Sequence, residues 1–298
     1  MPFFTNRGRW AQALAVMLII TGARGFAATW DTEITPKAGD NFIEAKFRLR
    51  LDAPENFVKG LLVLSPGWNG DGRGLVDDDG WRQFARQAGF GVVGVCLRSD
   101  ATKDEAVYHL ADRGSGEAFR QALIELARLS RHPEIADAPL LAWGHSAGGQ
   151  FSYGLACFMP ERVLAFAAVK GGIYQTRFNP LALKVPGIFV IGERDERWRL
   201  ASITQIFENG RQAGATWCVA WEAGTGHEIG RSREVIEPFF RDVLALRMGA
   251  AVAASRGWQG VRATLELKQP GTQDAPNPLS TVWLPGERSA KAWVNFEK

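Results

Sequence analysis

The chain has few cysteines: three in 298 residues, at positions 96, 157 and 218. Three thiols cannot all pair, and Cys96 and Cys218 sit in the apolar runs "VVGVCLR" and "TWCVAW", so buried free thiols are expected. No Cys-x-x-Cys or His-x-x-x-His spacing is present, which removes the usual metal signatures. No Walker loop and no Gly-x-Gly-x-x-Gly fingerprint is present either, so neither a nucleotide nor a nicotinamide cofactor is implied. The formal net charge is only +3, and the Lys and Arg residues are scattered, which argues against a nucleic-acid partner. No internal repeat or long low-complexity tract breaks the chain.

Long hydrophobic runs are missing as well. The longest N-terminal one, Ala11 to Ile20, is too short to span a bilayer comfortably. It follows Arg7 and Arg9 and precedes small residues, with Gly25 and Ala27 placed like a cleavage site. That is the pattern of a secretory signal peptide over residues 1–27, with an uncleaved membrane anchor as the alternative. The expectation is a secreted or periplasmic protein whose mature chain starts near Ala28 and keeps no membrane span.

What is abundant is apolar content (46%) and tryptophan (11 residues). The first suits one large domain with a real core. The second suits either that core or an aromatic binding surface. Short apolar runs alternate with helical patterns. "GLLVLSP" (60–66), "GVVGVCLR" (91–98), "APLLAWGHS" (138–146), "VLAFAAVKGG" (163–172), "VPGIFVIGE" (185–193) and "TWCVAWEAG" (216–224) read as strands. "KFRLRL" (46–51) alternates and reads as an early antiparallel strand. Helices are expected over 81–89, 116–130, 147–160, 202–214 and 235–248. This order predicts an α/β fold with a mostly parallel sheet covered by helices on both faces over residues 28–248. Residues 249–298, with "PGTQDAPNPLSTVWLPGE", read as an irregular C-terminal extension packed on that domain.

In such sheets active groups gather at the carboxyl ends of the strands. One serine stands there between glycines: Gly144-His145-Ser146-Ala147-Gly148 fits Gly-x-Ser-x-Gly, with an apolar strand before it and a helix after. A serine on so sharp a turn is a candidate nucleophile, and the alternative is a passive residue in a glycine-rich turn. A serine hydroxyl needs a base. Of four histidines, His132 lies at a helix end and reads as a cap, His109 precedes the serine in a loop, and His145 is inside the turn. His227 follows a strand in "EAGTGHEIG", on the same rim as Ser146, and is the candidate base. The acid that fixes the imidazole is sought in "VIGERDERW". Asp195 has the spacing for it, with Glu193 and Glu196 as alternatives. An acyl-transfer site also needs amide donors for the oxyanion. Ala147, after the serine, is one. Trp68 in "LSPGWNGDG" is the other, with Asn69 as alternative.

Through "GHSAGG", "GERDE", "GTGHE" and "SPGWNG", in the chain order Ser, Asp, His, residues 45–248 resemble the α/β-hydrolase superfamily. Within it the chain looks most like secreted esterases of the polyhydroxybutyrate-depolymerase-like, feruloyl-esterase-like and dienelactone-hydrolase-like groups. The resemblance implies the α/β-hydrolase fold and a serine carboxylesterase with Ser146, Asp195 and His227 as triad and no cofactor. One departure is Pro66-Gly67, where many relatives begin the oxyanion loop with His-Gly. Trp68, Asn69, His145, Tyr174 and Trp198 fall on rim loops and are candidate substrate-binding residues. An aromatic wall there suits a short-chain or aromatic acyl ester, on a small molecule or a plant polysaccharide. A prolyl-type peptidase and a catalytically inactive binding protein on the same fold are the competing readings.

Overall fold

The computed structural model describes residues 27–100, 102, 107–176, 180–247, 257–272 and 277–298. The leader read at residues 1–27 therefore lies outside the described residues except for Ala27. Among the described residues no helix is long and apolar enough to cross a membrane.

The strands are β1 (Ala28–Glu33), β2 (Glu44–Leu51), β3 (Gly60–Ser65), β4 (Phe90–Arg98), β5 (Leu140–His145), β6 (Val163–Val169), β7 (Gly187–Gly192) and β8 (Trp217–Glu222). The helices between and after them are α1 (Asp79–Ala88), α2 (Ser115–Ser130), α3 (Ala147–Phe158), α4 (Arg197–Gln212) and α5 (Arg233–Arg247). The eight strands form one sheet in the order β1-β2-β4-β3-β5-β6-β7-β8. From β4 to β8 every pair is parallel, and β2 and β1 add to the β4 edge antiparallel.

The burial patterns follow from that order. Every residue of β3 and β7 is buried because helices cover both faces of the sheet there. In β2 buried residues alternate with half-buried ones, as in a strand with one wet face. On one face Trp81 and Phe84 of α1 pack against Phe240 of α5. On the other, Phe119 of α2 meets Phe151 of α3 edge-on. Phe119, Leu123 and Leu126 repeat at helical spacing and are fully buried, each contributing roughly 1.5–3 kcal/mol. α1 starts where the Asp78 carboxylate accepts the Trp81 amide and stops at Gly89, whose φ of 73° makes a left-handed cap.

The extension is less irregular than its Pro- and Gly-rich sequence implied. β9 (Trp258–Val261), β10 (Leu267–Lys268) and β11 (Thr281–Leu284) form a three-stranded antiparallel sheet, and α6 (Glu287–Glu297) follows. Strands of two to four residues are too short to leave a periodic signal. Trp283 and Trp293 are buried here, so these tryptophans belong to the core. Buried Arg211 of α4 ties this sheet to the domain by donating to the Thr281 carbonyl.

α6 also covers the open edge of β8. Trp293 Nε1 donates to the Val219 carbonyl at 2.9 Å, and Glu297 accepts the Trp221 amide at 2.8 Å. Burial pushes the Glu297 carboxyl up from its ordinary 4.5 to about 7. A folded-state value above the unfolded one means the folded protein holds the proton more tightly. The stabilisation is complete below the unfolded value and is lost as pH rises through about 7. Glu297→Gln, which keeps an acceptor for Trp221, is therefore expected to raise the melting temperature by a few degrees at about pH 8 and to leave it unchanged at about pH 4. An equal shift at both pH values would show that burial does not hold this proton.

Candidate active site

The sheet order reverses between β3 and β5: β4 follows β3 on one side, and β5, β6, β7 and β8 are laid down on the other. The loops leaving the two central strands must diverge, and the crevice between them is the natural place for a ligand. β3 leads into Pro66-Gly67-Trp68, and β5 leads into Ser146.

Ser146 has φ 53° and ψ −123°, a conformation that side chains other than glycine rarely adopt. The turn is so tight that a Cβ on Gly144 would strike the Gly148 carbonyl, and one on Gly148 would strike the carbonyls of Ser65 and Pro66. That is why the motif has glycines two residues to either side of the serine. A serine at a helix N-cap ordinarily accepts an amide of the first turn. Ser146 makes no such bond, and its Oγ lies 2.9 Å from His227 Nε2. A merely structural cap would have used that hydroxyl.

His227 Nδ1 lies 2.8 Å from Asp195 Oδ2. A carboxylate only accepts, so Nδ1 carries the hydrogen and Nε2 is left as the acceptor for the serine hydroxyl. The Asp195 side chain is only 2% exposed, and its Oδ1 accepts the Glu196 amide at 2.8 Å. The two alternative acids are committed elsewhere. Glu193 accepts the Gly224 amide at 2.7 Å, and Glu196 accepts from Trp198 Nε1 and Arg199 Nε. The Arg194 amide donates to the Thr225 carbonyl, so the acid loop and the histidine loop are stitched together along their backbones.

The loop after β3 lies against the serine: a Cβ on Gly67 would be 3.7 Å from Ser146 Cβ. Among the described residues neither the Trp68 amide nor the Ala147 amide donates a hydrogen bond. Ala147 opens α3, where the first amides have no partner within the helix and the helix dipole favours negative charge.

Three candidate substrate-binding residues are placed otherwise than expected. Asn69 is spent on the neighbouring loop: its Nδ2 donates to the Ser99 carbonyl and its Oδ1 accepts the Ser99 amide. Its φ of 54° is one that Asn tolerates, and the side chain braces the turn. His145 turns inward, and its Nε2 donates to the His227 carbonyl at 2.6 Å. Burial pushes that imidazole down, which keeps it neutral with the hydrogen on Nε2. Tyr174 is buried in the core among Tyr153 and Phe189 rather than standing on the rim. Its apolar ring gains more from that edge-on cluster than from solvent. Trp68 and Trp198 remain about half exposed. Of the other histidines, His132 stands at the N-cap of the 3-10 turn Pro133–Asp137, its ring making no cap bond but bridging the Pro54 carbonyl and Glu134, and His109 is buried. All three cysteines are buried and free.

Two residues escaped the sequence reading altogether. Lys170 and Glu222 are fully buried and paired at 2.9 Å, beneath the histidine loop. The available signal was a charge closing an apolar strand, in "AFAAVK" and "CVAWE". Among the described residues no group of three or more His, Cys, Asp or Glu gathers as a metal site would.

No family model matches the chain, and no curated protein matches it. Solved structures share its fold. A ferulic acid esterase is 14% identical, with 74% of this chain and 98% of that one covered and a TM-score of 0.56. The S-formylglutathione hydrolase from Agrobacterium tumefaciens is 12% identical, over 74% and 95% of the two chains, with a TM-score of 0.54. An esterase from Pyrobaculum calidifontis is 14% identical, over 75% and 87%, with a TM-score of 0.52. At these identities the likeness is one of fold, and the chain has the α/β-hydrolase fold.

Proposed function

We propose that this chain is an exported serine carboxylesterase. The observation that carries the reading is the continuous hydrogen-bonded line from Asp195 through His227 to Ser146, at 2.8 and 2.9 Å. His227 takes the serine proton as Oγ attacks an ester carbonyl. The alkoxide collects on the amides of Ala147 and Trp68. His227 then protonates the leaving alcohol, and a water molecule repeats the sequence on the acyl-enzyme. The similarly folded proteins named as esterases are in keeping with this chemistry.

The substrate reading is a short-chain or aromatic acyl ester, on a small molecule or a polysaccharide. It is supported by Trp68 and Trp198, 45% and 48% exposed, flat apolar faces that stack on sugar and phenolic rings. Arg199 lies 4.3 Å over the Trp198 ring and holds its orientation. The test is labelling with a fluorophosphonate, followed by turnover of acetyl, butyryl, octanoyl, feruloyl and acetyl-sugar esters against a peptide anilide. Label on Ser146, with turnover of the acetyl or feruloyl ester and none of the anilide, is the expected result. Trp198→Ala should raise KM for feruloyl or acetyl-sugar esters. A preference for the octanoyl ester, or an unchanged KM in the variant, would remove the aromatic-wall reading.

Export rests on Arg7, Arg9 and the Ala11–Ile20 run. Protein recovered outside the cytoplasm should have a mass that begins near Ala28. A mass that retains Met1 would contradict cleavage.

A further inference from the structure

The histidine loop, residues 223–231, has no regular secondary structure of its own, yet it must hold His227 within hydrogen-bond reach of two other loops. The question is what fixes its backbone. One answer is His145, which takes the carbonyl of residue 227. The very next carbonyl, that of Glu228, accepts Lys170 Nζ at 2.6 Å. Further along, the Arg231 amide donates to Glu222 Oε1 at 2.5 Å. At the start of the loop, Thr225 Oγ1 donates back to the Glu222 carbonyl at 3.0 Å.

Lys170 and Glu222 do not lie on neighbouring strands. Lys170 follows β6 and Glu222 ends β8, and the end of β7 stands between them. That end is Gly192, where a Cβ would strike the Gly226 carbonyl of the histidine loop and come to 3.0 Å from Lys170 Cε, so the missing side chain lets both the loop and the lysine lie over the strand end. Lys170 makes the crossing from a backbone φ of 50°, in the region that disfavours side chains. Both side chains have zero exposure. Two buried charges cost more desolvation than an apolar pair of the same volume, so such a pair is weak evidence of stability and better evidence of enforced geometry. Here every further bond that the two charged side chains make goes to the loop that carries the base.

We infer that the buried Lys170–Glu222 pair is the positioning device for His227: it fixes the loop backbone at Glu228 and Arg231, just past the carbonyl that His145 holds, and so sets the Ser146–His227 approach. The pair touches neither substrate nor reacting atoms, and the inference rests on the esterase reading above.

The test begins with the wild-type chain, by fluorophosphonate labelling and p-nitrophenyl acetate turnover. Wild-type protein that neither labels nor turns over overturns the esterase reading and this inference with it. Given active wild type, two variants follow. Glu222→Gln keeps the acceptor for the Arg231 amide and removes the charge. Lys170→Met/Glu222→Leu removes both charges and keeps apolar volume. Both are expected to lose about 10- to 100-fold in kcat, with KM within about two-fold of wild type, because the base is misplaced while the substrate surface is untouched. The labelling rate should fall with kcat. The double variant should melt no lower than Glu222→Gln, separating geometry from stability. A double variant with wild-type melting and wild-type kcat overturns the inference, as does a loss confined to KM. If the double variant does not fold, Glu222→Gln decides alone, and wild-type kcat in it overturns the inference.

Discussion

Ser146→Ala is expected to remove ester turnover by on the order of 10⁶-fold, and His227→Ala to do the same. The hydroxyl is the attacking atom, and nothing else within the turn offers one at that position. Among the described residues it bonds only to His227 Nε2 rather than capping α3, so its removal breaks no structural contact of the helix start. His227 is the base for the first proton transfer and the acid for the next, and His145 cannot replace it. The His145 Nε2 is committed to the His227 carbonyl, and burial disfavours its charged form. Because the residues act as a unit, Ser146→Ala/His227→Ala should be no worse than either single change. Circular dichroism and melting temperature should stay near wild type. A His227→Ala protein with near wild-type turnover would place the base elsewhere.

Asp195→Asn is expected to lower kcat by about 10⁴-fold with little change in KM. The tautomer of His227 sets the size of this loss. Asp195 is almost wholly buried and accepts twice, from His227 Nδ1 and from the Glu196 amide. An asparagine can keep its oxygen on the Glu196 amide only by turning its NH₂ towards Nδ1. Nδ1 must then accept, Nε2 must carry the hydrogen, and the serine loses its acceptor. Neither Glu193 nor Glu196 is free to take over, because each holds other partners. The loop itself should keep its shape, since the Arg194–Thr225 and Asp195–Gly192 backbone bonds do not involve the carboxylate. Turnover near wild type in Asp195→Asn would mean that another group orients the imidazole.

Local signals were enough for a good part of this molecule. A short continuous apolar run such as "GLLVLSP" suits a strand covered on both sides, and the alternation in "KFRLRL" suits a strand covered on one, which is how both are placed. The glycines at 144 and 148 follow from a turn that has no room for a Cβ, so the placement of Ser146 was legible in five letters. Strand-end position pointed to His227, because in a parallel sheet all carboxyl ends share one rim, while Asp195 was preferred to Glu193 and Glu196 only by its spacing, and the fold brings the two side chains to 2.8 Å.

What sequence could not decide was where side chains turn once they reach that rim. Trp68 and Trp198 stay in solvent while Tyr174 packs against Tyr153 and Phe189, though all three follow strands. The difference lies in which neighbours offer an apolar face, and those neighbours come from elements far apart in the chain. Asn69 and His145 are claimed by backbone groups 30 and 82 residues away, which no local pattern encodes. Lys170 and Glu222 read as charges closing two strands, and only the folding of β6, β7 and β8 side by side turns them into one buried pair. Charge and periodicity are properties of the chain, but a partner is a property of the fold. The identity of a site residue can therefore be read in one dimension, and the groups that hold it in place only in three.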